Sequence, residues 1–147
     1  MKKLIKMIIG LTFTSCLLFS QVSMGQSKII RIKIQGGGGY HTKTILKFSF
    51  TDSPSSIKGK GSSDAKDDLP RVGISTFNGD FYNFGDRGWV DLSRYANRNI
   101  YVNLDSKWGS EKDTYMELEV SVPSNCRVSY TEIDNNDDDL DYVRIYD

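Results

Sequence analysis

Met116-Glu117-Leu118-Glu119-Val120-Ser121-Val122 sets four apolar side chains in strict alternation with three polar ones. In an extended chain successive side chains point to opposite faces, so this stretch is a strand with one face on a core and one on water. The same period of two recurs upstream. Ile30, Ile32 and Ile34 alternate with Arg31, Lys33 and Gln35; Leu46, Phe48 and Phe50 alternate with Lys47 and Ser49; Ile100, Val102 and Leu104 alternate with Tyr101 and Asn103. Shorter strands are predicted over 72–77, 88–92, 127–133 and 142–146. A single helical turn is expected over 93–96, and no stretch has a convincing helical period.

About eight short antiparallel strands most naturally close as one all-β domain: a two-sheet antiparallel β-sandwich of jelly-roll type. Two connections stand out. The segment 52–70 is rich in Ser, Lys, Gly and Asp, offers little to bury, and is expected to be a mobile loop. The four glycines of 36–39 permit positive φ between two strong strands. No helix follows them to aim its N-terminus at an anion, so a phosphate cradle is not expected.

The first 25 residues decide where this domain works. Lys2, Lys3 and Lys6 precede an apolar core over 4–19, and Ser23-Met24-Gly25 offers small residues at the positions a signal peptidase reads. We read 1–25 as a cleaved export signal, with the domain over 26–147. The apolar run is broken by Gly10, Thr12, Thr14, Ser15 and Ser20 and is short for a spanning helix, which needs about 20 residues. Phe13-Thr14-Ser15-Cys16 offers an alternative, cleavage and lipidation at Cys16. The expected location is secreted or periplasmic.

Removing the signal takes three lysines and no acid from 19 basic and 19 acidic residues, leaving a net charge of about −3. Basic residues such as Arg94, Arg98, Lys107, Lys112 and Arg127 form no run, which argues against nucleic acid as a partner. Only Cys126 remains after cleavage, so no internal disulfide can hold the exported fold. A small buried thiol is the expectation there. His41 is the sole histidine, which excludes a His-rich zinc site. No nucleophile-elbow motif surrounds any serine, and no catalytic residues are assigned.

Two clusters carry possible chemistry. Over 133–142, Asp134, Asn136 and Asp138 alternate, Asp139 follows, and Asp141 can close the group from the next strand. So many carboxylates in one turn need a cation or solvent to screen them, and calcium, a hard ion taking six to eight oxygens, suits them. The helix-loop-helix calcium pattern is absent: it needs glycine where Asp139 stands. A solvated acidic turn is the alternative. Asp64, Asp67 and Asp68, interleaved with Lys66, form a weaker group.

The second cluster is aromatic. Phe77, Phe81, Tyr82, Phe84 and Trp89 crowd a segment rich in Gly, Asn and Asp, and Trp108 sits in an apparent loop. Tyr101 should face outward from its phase against Val102. A flat ring beside polar groups can stack on a sugar while its neighbours read hydroxyls. Tyr82, Trp89, Tyr101 and Trp108 are therefore the candidate ligand-binding residues. The alternative for each ring is a place in the core.

Two segments resemble a group of secreted modules. Gly88-Trp89-Val90-Asp91-Leu92-Ser93-Arg94-Tyr95-Ala96-Asn97-Arg98-Asn99-Ile100-Tyr101-Val102 resembles the part of galactose-binding-like jelly-roll domains where a strand ends in an Asp-Leu-Ser turn. Leu140-Asp141-Tyr142-Val143-Arg144-Ile145-Tyr146 resembles the closing strand of several carbohydrate-binding modules and β-sandwich glycosidases. The resemblance implies a non-catalytic module for a glycan or cell-surface ligand, often with a structural calcium. Calcium-dependent lipid-binding sandwiches are of similar size, so a membrane-surface or protein partner remains the alternative, followed by a small secreted hydrolase and an assembly subunit.

Overall fold

Side-chain alternation becomes ten strands in the computed structural model, which describes residues 25–36, 43–63, 71–75, 81–83, 88–105, 114–135 and 140–147. They are β1 (Ser27–Gly36), β2 (Lys43–Phe50), β3 (Ser56–Ser63), β4 (Arg71–Ser75), β5 (Phe81–Asn83), β6 (Val90–Asp91), β7 (Asn99–Asp105), β8 (Thr114–Pro123), β9 (Val128–Asn135) and β10 (Leu140–Tyr146). One 3-10 turn, Ser93–Tyr95, lies where a helical turn was expected. Among the described residues no helix is long and apolar enough to cross a membrane.

The strands form two antiparallel sheets. The first runs β10-β1-β8-β3-β6 and the second β5-β4-β7-β2-β9. Within them β1 pairs with β8, β2 with β7, β3 with β6 and β4 with β5. That nesting is one long antiparallel ribbon folded over itself, the jelly-roll arrangement of eight strands. The last two strands are additions: β9 extends the second sheet beside β2, and β10 extends the first beside β1. Ten strands thus replace the expected eight.

The inward residues are those the alternation named. Ile30, Ile32 and Ile34 of β1 and Met116, Leu118, Val120 and Val122 of β8 face Leu46, Phe48, Ile100, Val102 and Leu104 across the sandwich, all essentially inaccessible to solvent. Each such side chain contributes about 1.5–3 kcal/mol of burial free energy. Cys126 is fully buried in the same cluster, as expected of a small apolar thiol.

The mobile loop expected over 52–70 is corrected: its centre is β3. Ile57 is the only large apolar residue there, and the other inward positions are Gly59 and Gly61, which stand opposite Leu118 and Met116 of β8. An inward glycine carries no hydrophobic signal, so composition alone suggests a loop where backbone pairing makes a strand. Residues 64–70, with Asp64, Lys66, Asp67 and Asp68, lie outside the described residues. The glycines after Gly36 do so too; β1 and β2, which they join, belong to different sheets.

Candidate functional site: a charged groove beside Trp89

The outward positions of the first sheet line up in rows. In one, Tyr146, Arg31, Glu119, Lys58 and Asp91 stand side by side across β10, β1, β8, β3 and β6. In the next, Arg144, Lys33, Glu117 and Lys60 do the same, with Trp89 just before the edge strand. Basic residues of β1 and β3 therefore flank the acidic residues of β8 on both sides. Arg31 Nε lies 3.2 Å from Glu119 Oε1, while Lys33 Nζ and Lys60 Nζ lie 3.8 and 3.4 Å from the same oxygen of Glu117. Exposed pairs of this kind contribute at most about 1 kcal/mol each. Their larger effect is to hold long side chains in place on the outer face of the sheet.

Trp89 is 45% exposed, with Lys60 Nζ 5.2 Å from its ring centroid. Between this ring and β1 lies an open groove of about 270 Å³, bounded by Arg31, Lys33, Glu117 and Glu119. Its floor is β1 and β8 at Ile32 and Leu118, whose side chains belong to the core. The groove thus combines one apolar plate, two groups of cationic donors and two carboxylate acceptors.

The Asp-Leu-Ser turn secures the edge strand that carries Trp89. The Ser93 backbone N–H donates to Asp91 Oδ1 at 2.9 Å and the Ser93 hydroxyl donates to the same oxygen at 2.6 Å. The Ile57 N–H of β3 donates to Ser93 Oγ at 3.2 Å, and Leu92 N–H donates to the Ile57 carbonyl at 2.8 Å. Leu92 is fully buried, so the turn is pinned to the core as well as to β3.

The Ser93 hydroxyl bond, then the Ser93 backbone bond, holds the Asp91 carboxyl below its ordinary value of 3.8, with Lys58 adding to the effect. A lowered carboxyl contributes stability that is present above the unfolded value and is lost as pH falls through the folded one. We expect Asp91→Asn to flatten that acid limb. Between about pH 5 and pH 3 the parent chain should lose more thermal stability than the variant, as read by melting curves. Parallel curves would show that the turn does not depend on this charge.

The other sequence candidates are dispersed. Tyr82 of β5 pairs with the buried Ile74 and packs against the core, its ring 6.1 Å from that of Tyr95. Arg94 lies over both rings at 4.9 and 4.7 Å and donates to the Tyr95 hydroxyl at 2.6 Å. Tyr82 is thus a partly buried member of the core margin. Tyr101 faces outward as expected, but from the second sheet, between Ser75 and Lys47 in register. Its surroundings are mostly uncharged, with Ser49 bonded to Asn99 and Asn103 bonded to Ser75. Trp89 and Tyr101 therefore lie on opposite outer faces, and one ligand on one face cannot stack on both.

Trp108 lies outside the described residues, as do Asn136, Asp138 and Asp139. Asp134 is on β9 and Asp141 on β10, so the two flank that connection from different sheets. Among the described residues no three of His, Cys, Asp and Glu gather as metal ligands.

Arg31, Lys33, Lys60, Glu117 and Glu119 were not singled out from the sequence as ligand contacts. Their signal was present nonetheless: the polar phase of β1 is basic and that of β8 is acidic, a complementarity that favours pairing of the two strands. No protein-family model, curated protein or solved structure matches this chain.

Proposed function

We propose that this chain is an exported, non-catalytic carbohydrate-binding module whose site is the groove beside Trp89. The observation that carries this reading is a half-exposed indole on the rim of a groove in the sheet face, beside four hydrogen-bonding side chains held by register and ion pairs. An exposed indole of this kind leaves apolar surface in water that a ligand can cover. The apolar side of a sugar ring fits that plate, while Glu117 and Glu119 accept hydrogen bonds from hydroxyls and Arg31 and Lys33 donate to ring-substituent oxygens.

Calcium is the proposed assisting ion, at the connection between β9 and β10. Asp134 and Asp141 flank that connection, and an ion there would brace the two added strands. It would not lie in the Trp89 groove.

Retention of the chain on a panel of immobilised polysaccharides, run with calcium and with chelator, tests both parts. We expect retention on at least one glycan, weakened by chelator. Retention that chelator leaves unchanged removes calcium from the reading. Failure to bind any glycan, together with calcium-dependent binding to anionic liposomes, would replace it with a membrane-surface module.

A further inference from the structure

We infer that the ligand of the Trp89 groove is an acidic glycan, one whose sugar rings carry carboxylates. This rests on the carbohydrate reading above and names its substrate class. The two outward rows of the first sheet hold five cations, Arg31, Lys33, Lys58, Lys60 and Arg144, against three carboxylates, Asp91, Glu117 and Glu119. The whole chain, by contrast, has a formal net charge of zero. The excess of positive charge is therefore local to the sheet face that carries the exposed indole.

The geometry of pairing places that excess. Glu117 is shared by Lys33 and Lys60, so one carboxylate faces two ammonium groups at 3.8 and 3.4 Å. Lys33 is also in register with Arg144, a second cation, on its other side. Arg144 in turn lies over the Tyr142 ring at 4.4 Å. Neighbouring like charges repel, and a ligand anion placed between them relieves that repulsion. Arg31 meets Glu119 through Nε and stays 64% exposed, and a guanidinium presents further donors in a fork that fits a carboxylate.

A carboxylate on a ring stacked against Trp89 would point across the groove to Lys33 and Arg31. Glu117 and Glu119 among the cations work against a continuous phosphate backbone, and they suit a ligand whose charges are separated by neutral hydroxyl-bearing atoms. The opposite outer face makes the contrast. Among the described side chains, Ser49, Ser75, Asn99 and Asn103 stand around Tyr101 with one cation, Lys47. A neutral sugar would be matched there; the Trp89 face is built for charge.

The test compares tetragalacturonate with its fully methyl-esterified form by titration calorimetry on the full chain. The pair shares a backbone and differs in charge. We expect the acid to bind at least about tenfold more tightly, and its affinity to fall about tenfold between 50 and 500 mM NaCl, where the Debye length shrinks to a few ångströms. Lys33→Gln with Arg31→Gln should remove this preference, while Lys47→Gln on the other sheet should not. Folding of each variant is checked by its melting curve. Equal affinity for acid and ester, or binding of neutral glycans alone, overturns the acidic-glycan inference and leaves the carbohydrate reading standing. Equal affinity for polyglutamate overturns the inference as well, by reducing the face to a general polyanion surface. Absence of binding to any glycan overturns both.

Discussion

Trp89→Ala should reduce glycan affinity by at least about 30-fold and leave the fold intact. A tryptophan anchoring a binding surface commonly carries about 2 kcal/mol or more, which corresponds to that factor. Its contribution to stability is much smaller. The ring is 45% exposed, and Lys60 makes an exposed cation–π approach to it, worth about 0.5–1 kcal/mol. For a domain of this size that is a fall in Tm of about 2–6 °C. Trp89→Phe should keep part of the affinity, since a smaller plate remains. Tyr101→Ala should change nothing at this site, because Tyr101 lies on the other outer face. Calorimetry of the three variants separates the outcomes, and an unchanged Kd for Trp89→Ala would remove the groove from the mechanism.

Phe48→Ala has the largest expected effect on stability, about 3–5 kcal/mol. Among the described residues Phe48 is the largest fully buried side chain, and in β2 it stands opposite Ile100 on one side and Tyr130 on the other. Its ring centroid is 6.0 Å from that of Tyr130. Truncation removes the transfer free energy of the ring and leaves a cavity between two sheets whose backbones cannot collapse to fill it. Domains are stable by about 5–15 kcal/mol, so the loss takes a large share of the total. Urea unfolding should show a much lower midpoint with little change in slope. Phe48→Leu, which fills most of the volume, should cost much less. If Phe48→Ala shifted the midpoint only slightly, β2 would not be a core strand.

Much of the fold was legible because a strand with one wet face writes its orientation into the sequence. β1, β2, β7 and β8 each alternate for three or four apolar residues, and their inward sets make up most of the core. β3 was illegible for a specific reason. Its inward positions are Ile57, Gly59 and Gly61, and two residues without side chains cannot show alternation.

The site was legible only in part. Trp89 was nameable as an aromatic among polar residues, but its partners come from β1, β3 and β8, residues up to 58 positions before it and 30 after it. Only cross-strand register brings those together. Tyr82 and Tyr101 were named on the same grounds as Trp89, and the folding of β5 and β7 sends one to the core margin and the other to the opposite face.

The nesting of the ribbon also dictates a schedule. β1 is made early, yet both of its neighbours, β8 and β10, are drawn from residues 114–146. At about 5–20 residues per second, Ile30, Ile32 and Ile34 wait several seconds for any partner in their own sheet. During that interval β1 has no hydrogen-bonded neighbour and the first sheet cannot form around it. The same delay leaves a bare apolar strand in need of protection during translation.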